Sequence, residues 1–334
     1  MLKTALIGAG RIGQVHAANI ASNPHSELSA ITDIFIDSAN KLADKYQSKV
    51  RTLEEILTDK SIQAVVIASA TDTHSDLIER AATAGKAIFC EKPIDLDSER
   101  VMRCLKIVKE CNAKLMIGFN RRFDPDFAAL QKRYLSGELG AAEVLQITSR
   151  DPSPPPVEYI KVSGGLFRDM SIHDLDMARF ILNEDPVAVS ASASCIVESV
   201  IGDCGDVDTA LITLEFPSGA LVSISNSRRT TYGYDQRIEL HAAKGMLQVD
   251  NVRENNMIET TNAGVNSAKA EYFFLERYMP AYAAEWDHFT QAVLNNTVFS
   301  CTAEDGAKAL VMAELAHKAL ITGQKQFFDW DSLR

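Results

Sequence analysis

The chain has 334 residues, room for two domains at roughly 150 residues each. Hydrophobic residues make up 46% and charged residues 24%, a globular balance that argues against wholesale disorder. Lys and Arg number 34 against 45 Asp and Glu, a net charge of −11 at pH 7. So acidic a surface repels phosphate backbones and anionic lipid, which makes nucleic acid and membrane poor partners. A small anionic cofactor stays open, because one helix N-terminus can hold a phosphate. No apolar run approaches the ~20 residues that cross a bilayer. The opening residues run straight into a motif that needs a folded strand, so no removable signal peptide is expected before it. The six cysteines, at 90, 104, 111, 195, 204 and 301, contain no C-x-x-C pair. That argues against a zinc ribbon or a disulfide framework and predicts buried, inert thiols in a cytoplasmic protein.

Strands are expected at Thr4–Ile7, Leu28–Thr32, Ala64–Ala68, Ala87–Cys90 and Leu115–Gly118. They are nearly continuous apolar runs, as in a parallel sheet covered on both faces. Helices are expected between them at about 11–22, 37–46, 52–57, 74–84 and 97–111, the last capped by Asp97 or Ser98. The alternation makes a doubly wound sheet. After residue 120 the rhythm changes. A helix at 125–135 and a strand at 143–149 lead to Asp151-Pro152-Ser153-Pro154-Pro155-Pro156, which cannot be regular structure. A helix at about 171–182 precedes β-rich runs at 187–197, 208–216, 219–226, 236–242 and 246–250, punctuated by Pro217-Ser218-Gly219 and Lys244-Gly245. Links so short join antiparallel strands. Helices near 279–295 and 303–322 close the chain. The expected architecture is a nucleotide-binding α/β domain at 1–120, then an α+β domain at 121–334 on a large, mostly antiparallel open sheet.

Gly8-Ala9-Gly10-Arg11-Ile12-Gly13 is G-x-G-x-x-G between a strand and a helix. The glycines allow the tight turn and a close approach of pyrophosphate to the helix's unpaired N–H groups. Asp33 ends the second strand 20 residues beyond Gly13. There its carboxylate can accept from ribose hydroxyls and repel a 2′-phosphate, which favours NAD over NADP. Oxidation of an alcohol needs a group that takes the hydroxyl proton, and His suits that task. The dense polar run from Gly164 to Asp176 supplies Asp169 and His173 at i, i+4, on one helix face. A capping Asp and a surface His on an ordinary helix is the alternative. Cys90-Glu91-Lys92-Pro93 ends a strand at the carboxyl edge, where such sheets bind ligands; a solvated lysine is the alternative there.

Together, Gly8–Gly13, Glu91-Lys92-Pro93 and the Gly165…Asp169…His173-Asp174…Asp176 helix resemble the glucose–fructose oxidoreductase and inositol dehydrogenase family along essentially the whole chain. Ser149-Arg150-Asp151-Pro152, Phe119 to Asp124 and Tyr232-Gly233-Tyr234-Asp235 are most similar to its inositol 2-dehydrogenases, which oxidise myo-inositol to 2-keto-myo-inositol with NAD. The resemblance implies a Rossmann domain and a catalytic trio of Lys92, Asp169 and His173, with Lys92-Pro93 as a cis peptide. Cofactor contacts are implied for Gly8, Gly10, Arg11, Ile12, Gly13, Asp33, Thr71, His74, Glu91 and Lys92. Polyol contacts are implied for Lys92, Arg122, Asp151, Asp169, His173 and Tyr234. It also implies a homo-oligomer, a tetramer built on the open sheet. His16, His25, His241, His288 and His317 have no metal-ligand spacing and read as structural. A dehydrogenase for another inositol isomer or a hexose, and a non-catalytic NAD(P) sensor, are the competing readings.

Overall fold

The first elements are β1 (Leu2–Ile7), α1 (Arg11–Ser22), β2 (Ser26–Thr32), α2 (Ile36–Tyr46), β3 (Lys49–Val50), α3 (Leu53–Thr58), β4 (Ala64–Ile67), α4 (His74–Thr83), β5 (Ala87–Glu91), α5 (Ser98–Glu110) and β6 (Leu115–Gly118). This is a computed structural model, and it describes residues 1–333. The strands pair in parallel in the order β3-β2-β1-β4-β5-β6, so the chain reverses direction across the sheet at β1. β4 and β5 are buried along their whole length, the reason they read as unbroken apolar runs. Asp97 caps α5 by accepting from the Glu99 and Arg100 N–H groups.

Contacts group the chain into two units, Met1–Phe123 with Pro280–Leu310, and Asp124–Met279 with Val311–Ser332. A boundary at residue 120 would leave everything after it in the second domain; Pro280–Leu310 departs from that. The reason is aromatic packing. Phe89 of β5 lies edge-on to Trp286 and Phe289, and the Trp286 indole donates to Ser26 Oγ at 2.9 Å.

The second unit begins with α6 (Pro125–Leu135), β7 (Ala142–Arg150), α7 (Val157–Ile160), a π-helical turn (Phe167–Ser171) and α8 (Ile172–Leu182). β8 (Ala188–Ser194), α9 (Ser199–Asp203), β9 (Thr209–Glu215), β10 (Leu221–Ser227), β11 (Asp235–Ala242) and β12 (Gly245–Val249) follow. The chain then forms the hairpin β13 (Ile258–Thr261) and β14 (Gly264–Ser267), α10 (Phe274–Arg277), α11 (Met279–Asn295), α12 (Ala303–Thr322) and β15 (Gln326–Phe327). Its main sheet has the order β12-β11-β7-β10-β9-β8-β15. The turns at 217–219 and 244–245 join antiparallel neighbours as expected. β10 and β11 do not pair, because β7 lies between them, parallel to β10 and antiparallel to β11. Leu145, Ile147, Ile212, Leu214, Val222, Ile224, Ile238 and Leu240 are buried at alternate positions, while Leu211 and Leu221 on the opposite face are exposed.

The helical run starts earlier than expected. Gly164 and Gly165 hold φ of 83° and 80°, a backbone that other residues adopt at a cost. A Cβ on Gly165 would stand 2.7 Å from Asp206 Oδ1. The Asp206 carboxylate accepts the Leu166 N–H at 3.0 Å and so opens the helix at 166. No described helix is long and apolar enough to cross a membrane. The cysteines are all free, but only Cys90, Cys104 and Cys301 are buried; Cys111 is exposed and Cys195 and Cys204 are half-buried. Burial pushes the Cys90 thiol well up and Cys104 to about 12, so these two are inert at neutral pH.

Candidate active site

Ile7 lies opposite both Thr32 and Ile67, and Ile67 opposite Cys90. Gly8, Asp33 and Glu91 with Lys92 therefore leave the parallel sheet along one carboxyl edge. The glycines have different tasks there. A Cβ on Gly13 would sit 2.1 Å from Gly8 O, and one on Gly8 would sit 2.5 Å from Ala68 O; the fold requires both. A Cβ on Gly10 would meet nothing within 4 Å. Gly10 is the N-cap of α1, makes no side-chain cap and is followed by no acidic residue in the first turn. Glycine at 10 thus leaves unshielded helix N–H groups open to an anion, the arrangement that a pyrophosphate fits. Asp33 adds the next feature: its Oδ2 accepts from Ala9 N–H at 2.6 Å and its Oδ1 from Phe35 N–H at 2.7 Å. The carboxylate is locked to the glycine loop, and each oxygen keeps a lone pair for a ribose hydroxyl. Arg11 is exposed at the start of α1, Ile12 and Thr71 are half-buried, and no group of His, Cys, Asp or Glu among the described residues could hold a metal ion.

In the second unit Asp169 lies in the π-turn and His173 in the first turn of α8. Asn226 on β10 fastens this helix start. It accepts from Ser171 Oγ at 2.6 Å and donates to Asp174 Oδ2 at 2.7 Å, so the residues on both sides of His173 are tied to the sheet. The Asp169 carboxylate accepts from Tyr159 Oη on Oδ1 at 2.9 Å and from Arg228 Nη2 on Oδ2 at 2.8 Å. Arg228 is 5% exposed and reaches Asp151 Oδ2 with Nη1 at 3.0 Å. Burial works against its charge, but the Asp169 and Asp151 carboxylates outweigh that and hold its pKa above the ordinary arginine value.

Residues 2–119 match the oxidoreductase family with the NAD-binding Rossmann fold, and residues 127–248 match the GFO/IDH/MocA C-terminal domain. The chain belongs to the GFO/IDH/MocA family of oxidoreductases. It is 50% identical over 319 residues, 96% of this chain and 97% of the other, to a Rhizobium meliloti (strain 1021) protein named inositol 2-dehydrogenase. The crystal structure of a myo-inositol dehydrogenase from Corynebacterium glutamicum ATCC 13032 is 44% identical, covers 98% of this chain and 99% of its own, and superposes with a TM-score of 0.95. A scyllo-inositol dehydrogenase from Lactobacillus casei, with NAD(H) and scyllo-inositol bound, is 27% identical over 98% of this chain and 99% of its own, at a TM-score of 0.90.

Within this family fold, several residues expected at the ligands also make contacts inside the fold. His74 is 1% exposed, with Nδ1 2.8 Å from Pro93 O and Nε2 3.2 Å from Ser69 O. Both ring nitrogens face backbone carbonyls, and burial lowers its pKa, so the neutral ring donates to one of the two. The Glu91 carboxylate turns inward to His16 Nε2 at 2.6 Å. Arg122, expected at the polyol, is 7% exposed; it donates to Ser300 O at 2.9 Å and pairs with Asp305 at 3.1 Å. Tyr234 is buried edge-on to Phe273 and Tyr278, and Asp151 is engaged by Arg228. Lys92 is half-buried, and the peptide between it and Pro93 is cis. The sequence reading missed Tyr159, Asn226 and Arg228. A signal for two of them is present: Val222, Ile224, Asn226 and Arg228 continue one buried face of β10, and polar residues in such a row need buried partners.

Proposed function

We propose that this oxidoreductase is an NAD-dependent inositol 2-dehydrogenase that converts myo-inositol to 2-keto-myo-inositol. The observation that carries the reading is the full-length 50% identity to a protein named inositol 2-dehydrogenase. Bound NAD supplies the hydride acceptor. Lys92, Asp169 and His173 are the proposed catalytic residues. His173 takes the hydroxyl proton as the carbinol hydrogen leaves with its electron pair. Asp169 stabilises the imidazolium that forms. Lys92 donates to the reacting oxygen and favours its alkoxide-like state over the neutral alcohol. Gly8, Gly10 and Gly13 cradle the pyrophosphate, and Asp33 takes the adenosine ribose. We further propose a cytoplasmic enzyme that forms a tetramer over the open sheet face, where Leu211 is 58% and Leu221 53% exposed; light scattering on the purified chain reads the assembly directly. Initial rates with NAD against a panel of inositols and hexoses test the substrate. The highest kcat/KM is expected for myo-inositol. A higher value for another isomer or a hexose reassigns the substrate, and oxidation of none contradicts the enzyme reading.

A further inference from the structure

The chain from Asp151 to Tyr159 closes on itself through Asp169. β7 and β10 run parallel and end in register, Arg150 opposite Ser227, which sets Asp151 and Arg228 side by side; Asp151 N–H donates to Ser227 O at 2.9 Å. Arg228 bridges Asp151 to Asp169. Tyr159, on the short helix after the proline run, returns to the other oxygen of Asp169. Between the two anchors lie Pro152, Pro154, Pro155 and Pro156, whose fixed φ stiffens the connecting chain.

We propose that Tyr159 and Arg228 are positioning residues for Asp169, which act on the reaction by fixing the plane of its carboxylate. A helix backbone does not fix that plane, because the terminal torsion of an aspartate is broad and roughly two-fold. The π-turn carrying Asp169 widens the backbone there, a feature that recurs at functional sites. Tyr159 on one oxygen and Arg228 on the other hold the carboxylate against rotation, and small misplacements of a reacting group are costly in rate. Arg228 is suited to the task because a planar fork spans two carboxylates, whereas a lysine presents one point charge.

The inference rests on the proposed role of Asp169. Tyr159→Phe removes a single hydroxyl from a residue that is 46% exposed and keeps the ring. It is expected to lower kcat about tenfold, the weight of one hydrogen bond to a charged group, with KM for NAD unchanged. The primary isotope effect with myo-inositol deuterated at the oxidised carbon should rise, because the chemical step is the one slowed. Arg228→Lys, checked for folding by thermal unfolding, should behave likewise. In an Asp169→Asn background Tyr159→Phe should cost less than about twofold more, since residues that act through one group are not additive. Equal losses in both backgrounds, or a Tyr159→Phe enzyme within twofold of the parent, overturn the positioning role and leave the catalytic trio standing. An Asp169→Asn enzyme at the parent rate overturns the trio and the positioning role together.

Discussion

The two units hold their proposed site residues by different means. In the first, Gly8, Asp33 and Lys92 each leave a parallel strand within a residue or two of its end, and strands of one sheet carry them to one edge. In the second, Asp169 is oriented by Tyr159, 10 residues away, and by Arg228, 59 residues away, while Asn226 reaches Asp174 across 52 residues. A parallel sheet delivers groups to its carboxyl edge by topology alone. A mixed sheet in which β7, its earliest strand in the chain, lies between β11 and β10 delivers them by polar bridges that no local pattern specifies. The placement of groups at the first site should therefore survive substitutions that spare the turn, whereas placement at the second should fail wherever a bridge is cut.

The largest effect expected is at His173. His173→Ala should lower kcat by roughly 10²–10⁴-fold while NAD titrates as in the parent, since the loss is confined to the second unit. Near-normal turnover would remove the contrast between the units by showing that the bridged helix does no chemistry.

A pair of glycine variants sharpens the contrast from the other side. Gly13→Ala puts a methyl group 2.1 Å from a backbone oxygen and should destabilise the fold by about 1–3 kcal/mol. Gly10→Ala meets nothing within 4 Å and should melt like the parent while binding NAD more weakly, which unfolding curves and NAD fluorescence read separately. Equal NAD affinity in Gly10→Ala and the parent would count against the pyrophosphate cradle.

A smaller effect is expected at Glu285. It is fully buried, neither carboxylate oxygen has a hydrogen-bond partner, and burial with the nearby Glu91 charge pushes its pKa well above the ordinary 4.5. The folded chain keeps this acid protonated after the unfolded chain has lost its proton. The stability that Glu285 allows is therefore complete below about pH 4.5 and falls as pH rises toward its folded pKa. Glu285→Gln should match the parent near pH 4.5 and melt higher at pH 8, by about 2–4 °C for each ~1 kcal/mol recovered. A melting difference independent of pH would mean that Glu285 is charged in the folded chain.

Legibility in the sequence follows the same division. The helix at Arg11–Ser22, the strand at Leu115–Gly118, the Asp97 cap and the glycine loop with Asp33 are readable because each depends on neighbours in the chain. His16 with Glu91 is not, since the partners stand 75 residues apart, and neither is Arg122, whose carbonyl partner Ser300 lies 178 residues away. A motif places such a residue at the site but does not say whether its side chain faces a ligand or the fold. Arg228 and Arg229 are adjacent and chemically alike; only the strand alternation, which buries the first and exposes the second, tells them apart.

Lys92 gives the most direct test of the proposed chemistry, because its bland alternative, a solvated strand-end lysine, makes the opposite forecast. The measurement is steady-state kinetics of Lys92→Ala and Lys92→Arg with myo-inositol, alongside NAD titration by fluorescence. The expected result is normal NAD binding with a kcat reduced by two or more orders of magnitude in Lys92→Ala, about the weight of one preorganised donor to a developing oxyanion. Lys92→Arg should also be badly impaired, because the guanidinium fork is not a compact point donor. If Lys92→Ala binds NAD normally and turns over within about threefold of the parent, the catalytic trio is contradicted.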